Sequence, residues 1–138
     1  METLIYNEII DTKDNIGLAT RHIMDMLSEY QIDESILERI KKVVFEAEKN
    51  IKLYAQSGEI KVILEDNILK ARFKDKGPGI ENIGMAFVDG YTTADEEIKQ
   101  KGYGLGRGFG IIQENVDSLN IASELDSGTT MDITINLK

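Results

Sequence analysis

The chain has 138 residues, of which 41% are hydrophobic and 30% charged, a composition typical of one globular domain with a two-layer core. Its 25 acidic residues outnumber 16 basic residues, and no basic run offers the electrostatic surface of a nucleic-acid-binding protein. The absence of cysteine excludes disulfides and thiolate metal sites, and a single histidine argues against a histidine-based zinc site.

The sequence also argues against a membrane protein. The start, "METLIYNEII", lacks a basic region followed by a long apolar region, and no stretch approaches the ~18 apolar residues of a membrane span. We therefore expect a soluble, cytoplasmic protein that forms one domain over residues 1–138, with neither a nucleic acid nor a membrane as partner.

The first half of the chain predicts one strand and two helices. β-favouring residues at 3–10 predict the strand, and apolar residues every three or four positions from 14 to 30 predict an amphipathic helix. A second helix begins near Ser35, which is predicted to form a capping box with Glu38, and Gly58 stands where a helix stop is expected. The apolar stripe of the second helix comprises Ile36, Ile40, Val43, Ala47, Ile51 and Tyr54.

The second half predicts mainly strands. Apolar and polar residues alternate on both sides of Asp66-Asn67, which predicts a hairpin. A short helix from about 81 to 88 and a polar loop at 90–103 follow; then come a helix within "GFGIIQENVDSL" and two strands joined at Asp126-Ser127-Gly128. Because strands and helices are segregated, the expected class is α+β, a two-layer sandwich of an open mixed sheet with helices on one face.

Two short groups of residues stand out from this framework. Glu46 and Asn50 lie four residues apart on the second helix, so their side chains share one face at the edge of the apolar stripe. Asp75 lies at the end of a predicted strand, where Gly77 and Gly79 allow a tight turn. Taken singly, each group also fits an ordinary solvated flank or turn.

A third group is the glycine run "GYGLGRGFG", which has glycine at every second position from 102 to 110. This spacing fits neither the dinucleotide-binding G-x-G-x-x-G pattern nor the P-loop pattern. The run leads directly into a predicted helix, whose free backbone N–H groups and positive dipole end favour an anion such as a polyphosphate.

The order of these motifs resembles that of the Bergerat-fold ATPases, the superfamily of gyrase, Hsp90, histidine kinases and MutL. The matching stretches are "EAEKN" (46–50), "DKGPG" (75–79), "GLGRGFG" (104–110) and "SGTT" (127–130), so the resemblance covers nearly the whole chain. Together with "DGYTT" (89–93), they are most similar to the anti-sigma-factor serine/threonine kinases of bacterial partner-switching systems, especially the switch-kinase branch.

The resemblance implies a site for ATP and Mg²⁺. Asp75 would accept a hydrogen bond from the adenine amino group, assisted by the hydroxyl of Thr130, and Asn50 would bind Mg²⁺. Glu46 would be the catalytic residue, a general base or orienting group for a serine or threonine hydroxyl. The other implied nucleotide contacts, which include lid residues 92 and 93 and the phosphate-binding loop, are Gly77, Gly79, Thr92, Thr93, Gly104, Leu105, Gly106, Arg107 and Gly108.

Three functions fit the implied pocket, in this order. The first is a serine/threonine kinase that phosphorylates a small regulatory partner of the anti-sigma-antagonist (STAS) type. The second is a module whose affinity for a sigma factor or another regulator is set by ATP or ADP. The third is the ATP-binding domain of a histidine kinase, detached from its phospho-acceptor hairpin. Homodimerisation is left open.

Three side chains have two open interpretations each. Arg107 and Lys49 either contact phosphate or point to solvent, as cations on a loop and on a helix flank usually do. His22 is either a phospho-acceptor or an ordinary surface or packed histidine, and the lack of a surrounding dimerisation hairpin favours the second interpretation.

Overall fold

The structure is a computed structural model that describes residues 1–77, 108–124 and 127–138. The predicted helix at 81–88 and the predicted polar loop at 90–103 lie outside these ranges. No helix within them has the length and apolar composition needed to cross a bilayer. The described elements are β1 (Glu2–Ile10), α1 (Leu18–Leu27), α2 (Glu34–Tyr54), β2 (Ser57–Glu65), β3 (Ile68–Lys76), α3 (Gly108–Asn115), β4 (Ser118–Glu124) and β5 (Gly128–Asn136).

The five strands form one sheet in the order β1-β2-β3-β5-β4, and each of these neighbouring pairs is antiparallel. The α+β class is therefore confirmed, while the expectation of a mixed sheet is wrong for the described strands. Two helices connect β1 to β2, and β2 begins beside the end of β1, where Gly58 pairs with Ile10. β4 runs in the same direction as β3, but β5 lies between them and separates the two strands.

The hydrophobic core lies between the helices and one face of the sheet. Buried residues alternate along the central strands, as expected when one sheet face is covered and the other meets solvent. The buried sheet residues include Ile60, Val62, Leu69, Ala71, Phe73, Met131, Ile133 and Ile135, and they pack with Ile23, Leu27, Ile40, Val43, Val44, Ala47, Ile51 and Ile112 from the helices.

Turn residues fix the register of the hairpin between β2 and β3. Asp66 and Asn67 have φ angles of 50° and 66°, the positive values that a two-residue type I′ turn requires. Glu65 consequently pairs with Ile68, and the predicted hairpin is confirmed.

The second helix differs from its prediction at both ends. It begins at Glu34 after Asp33, which makes no side-chain cap bond, so Ser35 lies within the first turn and the predicted capping box is wrong. It ends at Tyr54, and Gly58 lies inside β2 rather than at a helix stop. A Cβ atom on Gly58 would lie 2.6 Å from Ile51 Cγ2, so this glycine allows β2 to pack closely against α2.

A buried carboxylate, Glu48, fastens α1 to α2. Gly17, the residue that precedes α1, has no side chain to cap the helix, and Glu48 accepts hydrogen bonds from the free N–H groups there instead. Its oxygens accept hydrogen bonds from the backbone N–H of Gly17 (2.9 Å), Ala19 (3.2 Å) and Thr20 (2.8 Å), the Thr20 hydroxyl (2.6 Å) and Lys52 Nζ (2.6 Å).

These partners decide the charge of Glu48. Burial raises the pKa of a carboxyl group, but here the Lys52 ammonium and the Thr20 and Ala19 donors outweigh it and hold the pKa of Glu48 below its ordinary value. Glu48 is thus ionised and completely enclosed at neutral pH. It fixes α2, the helix that carries Glu46 and Asn50, relative to α1.

Candidate functional site

The start of α3 lies against Glu46 and Asn50 on α2. A Cβ atom built on Gly108 would lie 3.1 Å from Glu46 Oε2 and 3.5 Å from both Oδ1 and Nδ2 of Asn50. A Cβ at position 108 would therefore be tight against Glu46 Oε2 and in ordinary contact with Asn50. The structure brings together three of the residues predicted from sequence.

Glu46 is nearly buried, with 8% of its surface exposed, yet its hydrogen bonding is incomplete. Lys49 Nζ lies 2.7 Å from Oε2 as an ion pair. Among the described residues, no backbone N–H or hydroxyl group donates to this oxygen. A carboxylate in this condition retains acceptor capacity at the start of a helix.

Asp75 lies at the other end of the site, near the end of β3. It pairs with Gly58 on β2 and with Thr129 on β5, and its Oδ1 accepts a hydrogen bond from the Thr129 N–H at 3.2 Å. Burial raises the pKa of Asp75, opposed by the backbone N–H groups of Thr129 and Gly77. The carboxyl group is thus held in place at the edge of the core with acceptor capacity left over.

Gly77 connects this carboxyl group to the end of α2. A Cβ atom at Gly77 would lie 3.2 Å from the Tyr54 carbonyl oxygen, from Ala55 Cα and from Asp75 Oδ1. The backbone after β3 therefore packs tightly against the C-terminal end of α2. Glu46 and Tyr54 are eight residues apart, or about 12 Å along a helix axis, which separates the Glu46 end of the site from the Asp75 end.

The predicted role of Thr130 needs correction, because this residue lies on the wrong face of the sheet. Thr130 pairs with Lys74 on the exposed face, the side where Arg72 and Asp132 form an ion pair at 2.8 Å. Side chains alternate along a strand, so Thr129 shares the face of Asp75 instead. The Thr129 hydroxyl lies 2.9 Å from that of Ser123 on β4.

The remaining predicted contacts, Gly79, Thr92, Thr93, Gly104, Leu105, Gly106 and Arg107, lie outside the described residues and stay predictions. In the parts of the chain that the structure does describe, no group of three His, Cys, Asp or Glu side chains is arranged to hold a metal ion. Asn50 nevertheless offers an amide oxygen, a ligand suited to Mg²⁺, next to the anion-attracting start of α3.

Sequence reasoning did not single out Thr129, which shares the sheet face of Asp75, or Glu48, which joins α2 to α1. Thr129 could have been found from the alternation of β5, because the buried Met131, Ile133 and Ile135 share its parity. Glu48 gave a weaker signal. It lies four residues after Val44 and four before Lys52, within a helix face that proves to be buried, but its donors come from α1 and are distant in sequence.

This geometry agrees with the comparison against known families. The chain belongs to the family described as "Histidine kinase-, DNA gyrase B-, and HSP90-like ATPase", whose model matches residues 36–138. The match begins on α2 and includes Glu46, Asn50, Asp75, Gly108 and Thr129. The predicted resemblance to the Bergerat-fold ATPases is thereby confirmed.

Among curated proteins the chain is similar to anti-sigma F factors. It is 36% identical to that of Bacillus licheniformis over 115 residues, which are 78% of this chain and 75% of the relative. It is 33% identical to that of Geobacillus thermodenitrificans over 109 residues, covering 73% and 71% of the two chains. For the Bacillus cereus protein the identity is 32% over 126 residues, covering 87% and 83%.

Solved structures share the fold. A mycobacterial sensor histidine kinase, MprB, superposes with a TM-score of 0.56 at 17% identity, covering 95% of this chain and 97% of that one. The Acinetobacter baumannii histidine kinase AdeS gives a TM-score of 0.54, also at 17% identity, over 97% of this chain and 68% of its own. At this identity the likeness concerns the fold and not the reaction.

Proposed function

We propose that this chain binds ATP with Mg²⁺ and phosphorylates a serine or threonine of a small regulatory protein of the STAS type. The observation that carries the proposal is the environment of Glu46. Its carboxylate is nearly buried, receives no backbone or hydroxyl donor at Oε2 from the described residues, and lies beside Asn50 and the first residue of α3. Membership of an ATPase family and similarity to anti-sigma F factors support the choice of nucleotide and of reaction class.

The adenine would bind at the Asp75 end of the site. The carboxylate of Asp75 already accepts the Thr129 N–H and still has lone pairs for the exocyclic amino group of adenine. An amino group is a donor, whereas guanine presents a carbonyl oxygen at the equivalent position, so an ionised Asp75 selects adenine. The assisting hydroxyl is assigned to Thr129, which shares its sheet face with Asp75.

The phosphates would bind at the Glu46 end. Free N–H groups at the start of α3, together with the predicted loop at 104–108, favour anionic oxygens. Asn50 would supply one oxygen to Mg²⁺, and phosphate oxygens and water would complete the coordination. Held there, the ion would supply positive charge against the negative charge that develops during transfer.

Glu46 would then act on the incoming hydroxyl group. The serine or threonine oxygen attacks the γ-phosphorus, and the bond from that phosphorus to the β–γ bridging oxygen breaks. ADP leaves with the electron pair of that bond. The Glu46 carboxylate accepts the hydroxyl proton, for which its Oε2 has acceptor capacity available.

The relatives' names favour a second activity of the same pocket. Because they are anti-sigma F factors, a sigma factor is a candidate partner whose binding would depend on the bound nucleotide. Such a partner would place the chain in the cytoplasm. If the pocket only regulates binding, partner affinity would change between ATP and ADP while no phosphate is transferred.

The test of the proposed function compares Glu46→Gln with Glu38→Gln, an exposed glutamate on the same helix. Each variant is incubated with radiolabelled ATP, Mg²⁺ and, one at a time, the purified STAS-domain proteins encoded in the same genome. Loss of the base is expected to slow transfer by about 10²–10⁴-fold, the usual contribution of general base catalysis. ATP affinity, measured by calorimetry, is expected not to fall in either variant.

Two results would count against the proposal. Transfer at the native rate by Glu46→Gln would remove the base role. Nucleotide-dependent binding of a partner that never gains phosphate, with the native chain, would favour the regulated binding module.

A further inference from the structure

The Lys49 ammonium occupies an unusual place for a lysine on a helix flank. Only 19% of the Lys49 side chain is exposed, and Nζ lies 2.7 Å from Glu46 Oε2 and 5.9 Å from the centre of the Phe45 ring. The same oxygen is the one that lies 3.1 Å from the position of a Cβ atom on Gly108. Lys49 is therefore held inside the candidate phosphate end of the site, and the interpretation of a solvated flank does not apply to it.

Lys49 Nζ has few partners among the described residues. It carries three N–H groups, and its contacts within these ranges are with Glu46 Oε2 and the Phe45 ring. For comparison, the Lys52 ammonium donates to both Glu48 and the Asn15 carbonyl oxygen, at 2.6 and 2.7 Å. Within the described ranges the Lys49 ammonium thus has one polar partner, where the Lys52 ammonium has two.

The charge of Lys49 bears on how the site could accept a polyphosphate. The net charge of the chain is −9, and the polyphosphate of a nucleotide would arrive beside the carboxylate of Glu46. Two anions in a poorly hydrated site repel each other strongly unless a cation compensates them. Lys49 carries such a charge on a flexible four-carbon stem, next to Asn50 in sequence and paired with the carboxylate that lies against the start of α3.

We propose that Lys49 changes partner when nucleotide binds: it neutralises Glu46 in the free chain and turns to the terminal phosphate of ATP in the complex. The exchange keeps the buried carboxylate paired while the site is empty of phosphate. On binding, the same cation screens the phosphate charge and leaves Glu46 Oε2 open to the incoming hydroxyl group. This inference rests on the proposed function, and Lys49 acts in it as a phosphate-binding and positioning residue.

The test measures the affinities of ATP, ADP and adenosine by calorimetry for native protein, Lys49→Met and Lys49→Arg. Methionine preserves the length and the apolar stem of the side chain but removes its charge. Lys42→Met is the matched control, because Lys42 is an exposed lysine on the same helix. Thermal unfolding of each variant checks that the fold is retained.

The exchange predicts a loss that depends on the phosphates of the ligand. Lys49→Met is expected to bind ATP about tenfold or more weakly, the usual worth of a hydrogen bond to a charged group. ADP is expected to lose less than ATP, and adenosine nothing. Lys49→Arg should recover much of the ATP affinity because it retains the cation, and Lys42→Met should match the native chain for all three ligands.

The remaining outcomes overturn the inference in distinguishable ways. If the native chain binds ATP and Lys49→Met binds it equally well, the exchange is wrong and the proposed function stands. An equal loss for ATP and adenosine would assign Lys49 a purely structural role. If the folded native chain binds none of the three ligands, the proposed function fails and this inference fails with it.

Discussion

Glu46 and Glu48 are two residues apart on α2 and both are buried, but their surroundings are opposite. Glu48 receives donors from three backbone N–H groups, a hydroxyl and the Lys52 ammonium. Glu46 has an ion pair with Lys49, and no backbone or hydroxyl donor reaches its Oε2 from the described residues. Two residues correspond to a rotation of about 200° around a helix, so Glu48 faces α1 while Glu46 faces the start of α3.

The difference separates a structural carboxylate from one that is available for chemistry. A buried acceptor whose lone pairs are all used stabilises the fold and has no capacity for a substrate. A buried acceptor with unused capacity is costly to the fold, and such groups occur where a ligand completes the bonding. The two glutamates should therefore respond to substitution in opposite ways.

The largest expected effect is a loss of stability in Glu48→Ala. The substitution leaves the N–H groups at the start of α1 unpaired and the Lys52 ammonium buried without its counter-ion. Breaking a buried pair of this kind costs about 3–5 kcal/mol of unfolding free energy. Urea unfolding measures it, with the exposed Glu38→Ala as control, for which a change within about 0.5 kcal/mol is expected. Equal stabilities of these two variants would refute the structural role of Glu48.

A smaller effect, on function rather than on stability, is expected for Gly108→Ala. The added Cβ would lie 3.1 Å from Glu46 Oε2 and would push the carboxylate away from its position. We expect phosphate transfer to fall by about tenfold or more, since misplaced catalytic groups lose much of their effect. Stability should change by less than about 1 kcal/mol, because the contacted atom ends a flexible side chain and alanine suits a helix.

Gly128→Ala provides the contrast for that measurement. Gly128 has a φ angle of 115°, and a Cβ there would lie 2.1 Å from the Asp75 carbonyl oxygen, which is backbone and cannot move aside cheaply. This variant should lose more than about 1 kcal/mol of stability. If Gly108→Ala unfolds as easily as Gly128→Ala, the start of α3 is a packing feature and not part of the site.

The smallest expected effect is in the pH dependence of stability. The pKa of Glu48 in the folded chain lies below its ordinary value of 4.5, so its ionised form contributes stability that is fully present above pH 4.5. That contribution disappears as the pH falls through the folded-state pKa. The stability gap between native protein and Glu48→Gln should therefore be constant near neutral pH and shrink below pH 4.5.

The pKa of Asp75 is shifted in the opposite direction to that of Glu48, so Asp75 also affects the pH dependence of stability. Burial raises its pKa above 3.8, so protonation of Asp75 favours the folded state as the pH falls. Because Asp75 is present in both chains, the gap between native protein and Glu48→Gln cancels its effect. A gap that does not depend on pH would mean that the charge of Glu48 contributes nothing to the fold.

Local patterns predicted most of the fold. The apolar stripe of α2 and the alternation of β2, β3 and β5 identify the core face, because burial on one side imposes the periodicity of each element. The capping box at Ser35 failed because the motif depends on where the helix begins, and the helix begins earlier, after Asp33. The position of β1 beside β2 in the sheet depends on the path of the chain through α1 and α2. Local sequence patterns carry no information about that path.

The sequence motifs predicted which residues of the candidate site lie close together, but not the contacts that depend on tertiary structure. Glu46, Asn50 and Gly108 meet in space as their motifs indicate. The error between Thr129 and Thr130 is one position, yet one position reverses the face of a strand. Glu48 could not be assigned from the sequence, because the N–H groups that it accepts lie 28 to 31 residues away.

Calorimetric titration of ATP with Mg²⁺ into the native chain, Asp75→Asn and Thr130→Val tests the central claim most directly. Asparagine keeps the size of Asp75 but removes the charge, and Thr130→Val alters the opposite face of the sheet. The account predicts ATP binding by the native chain, binding weakened by about tenfold or more in Asp75→Asn, and native affinity in Thr130→Val. Equal affinity in all three proteins, or no binding by a folded native chain, would contradict it.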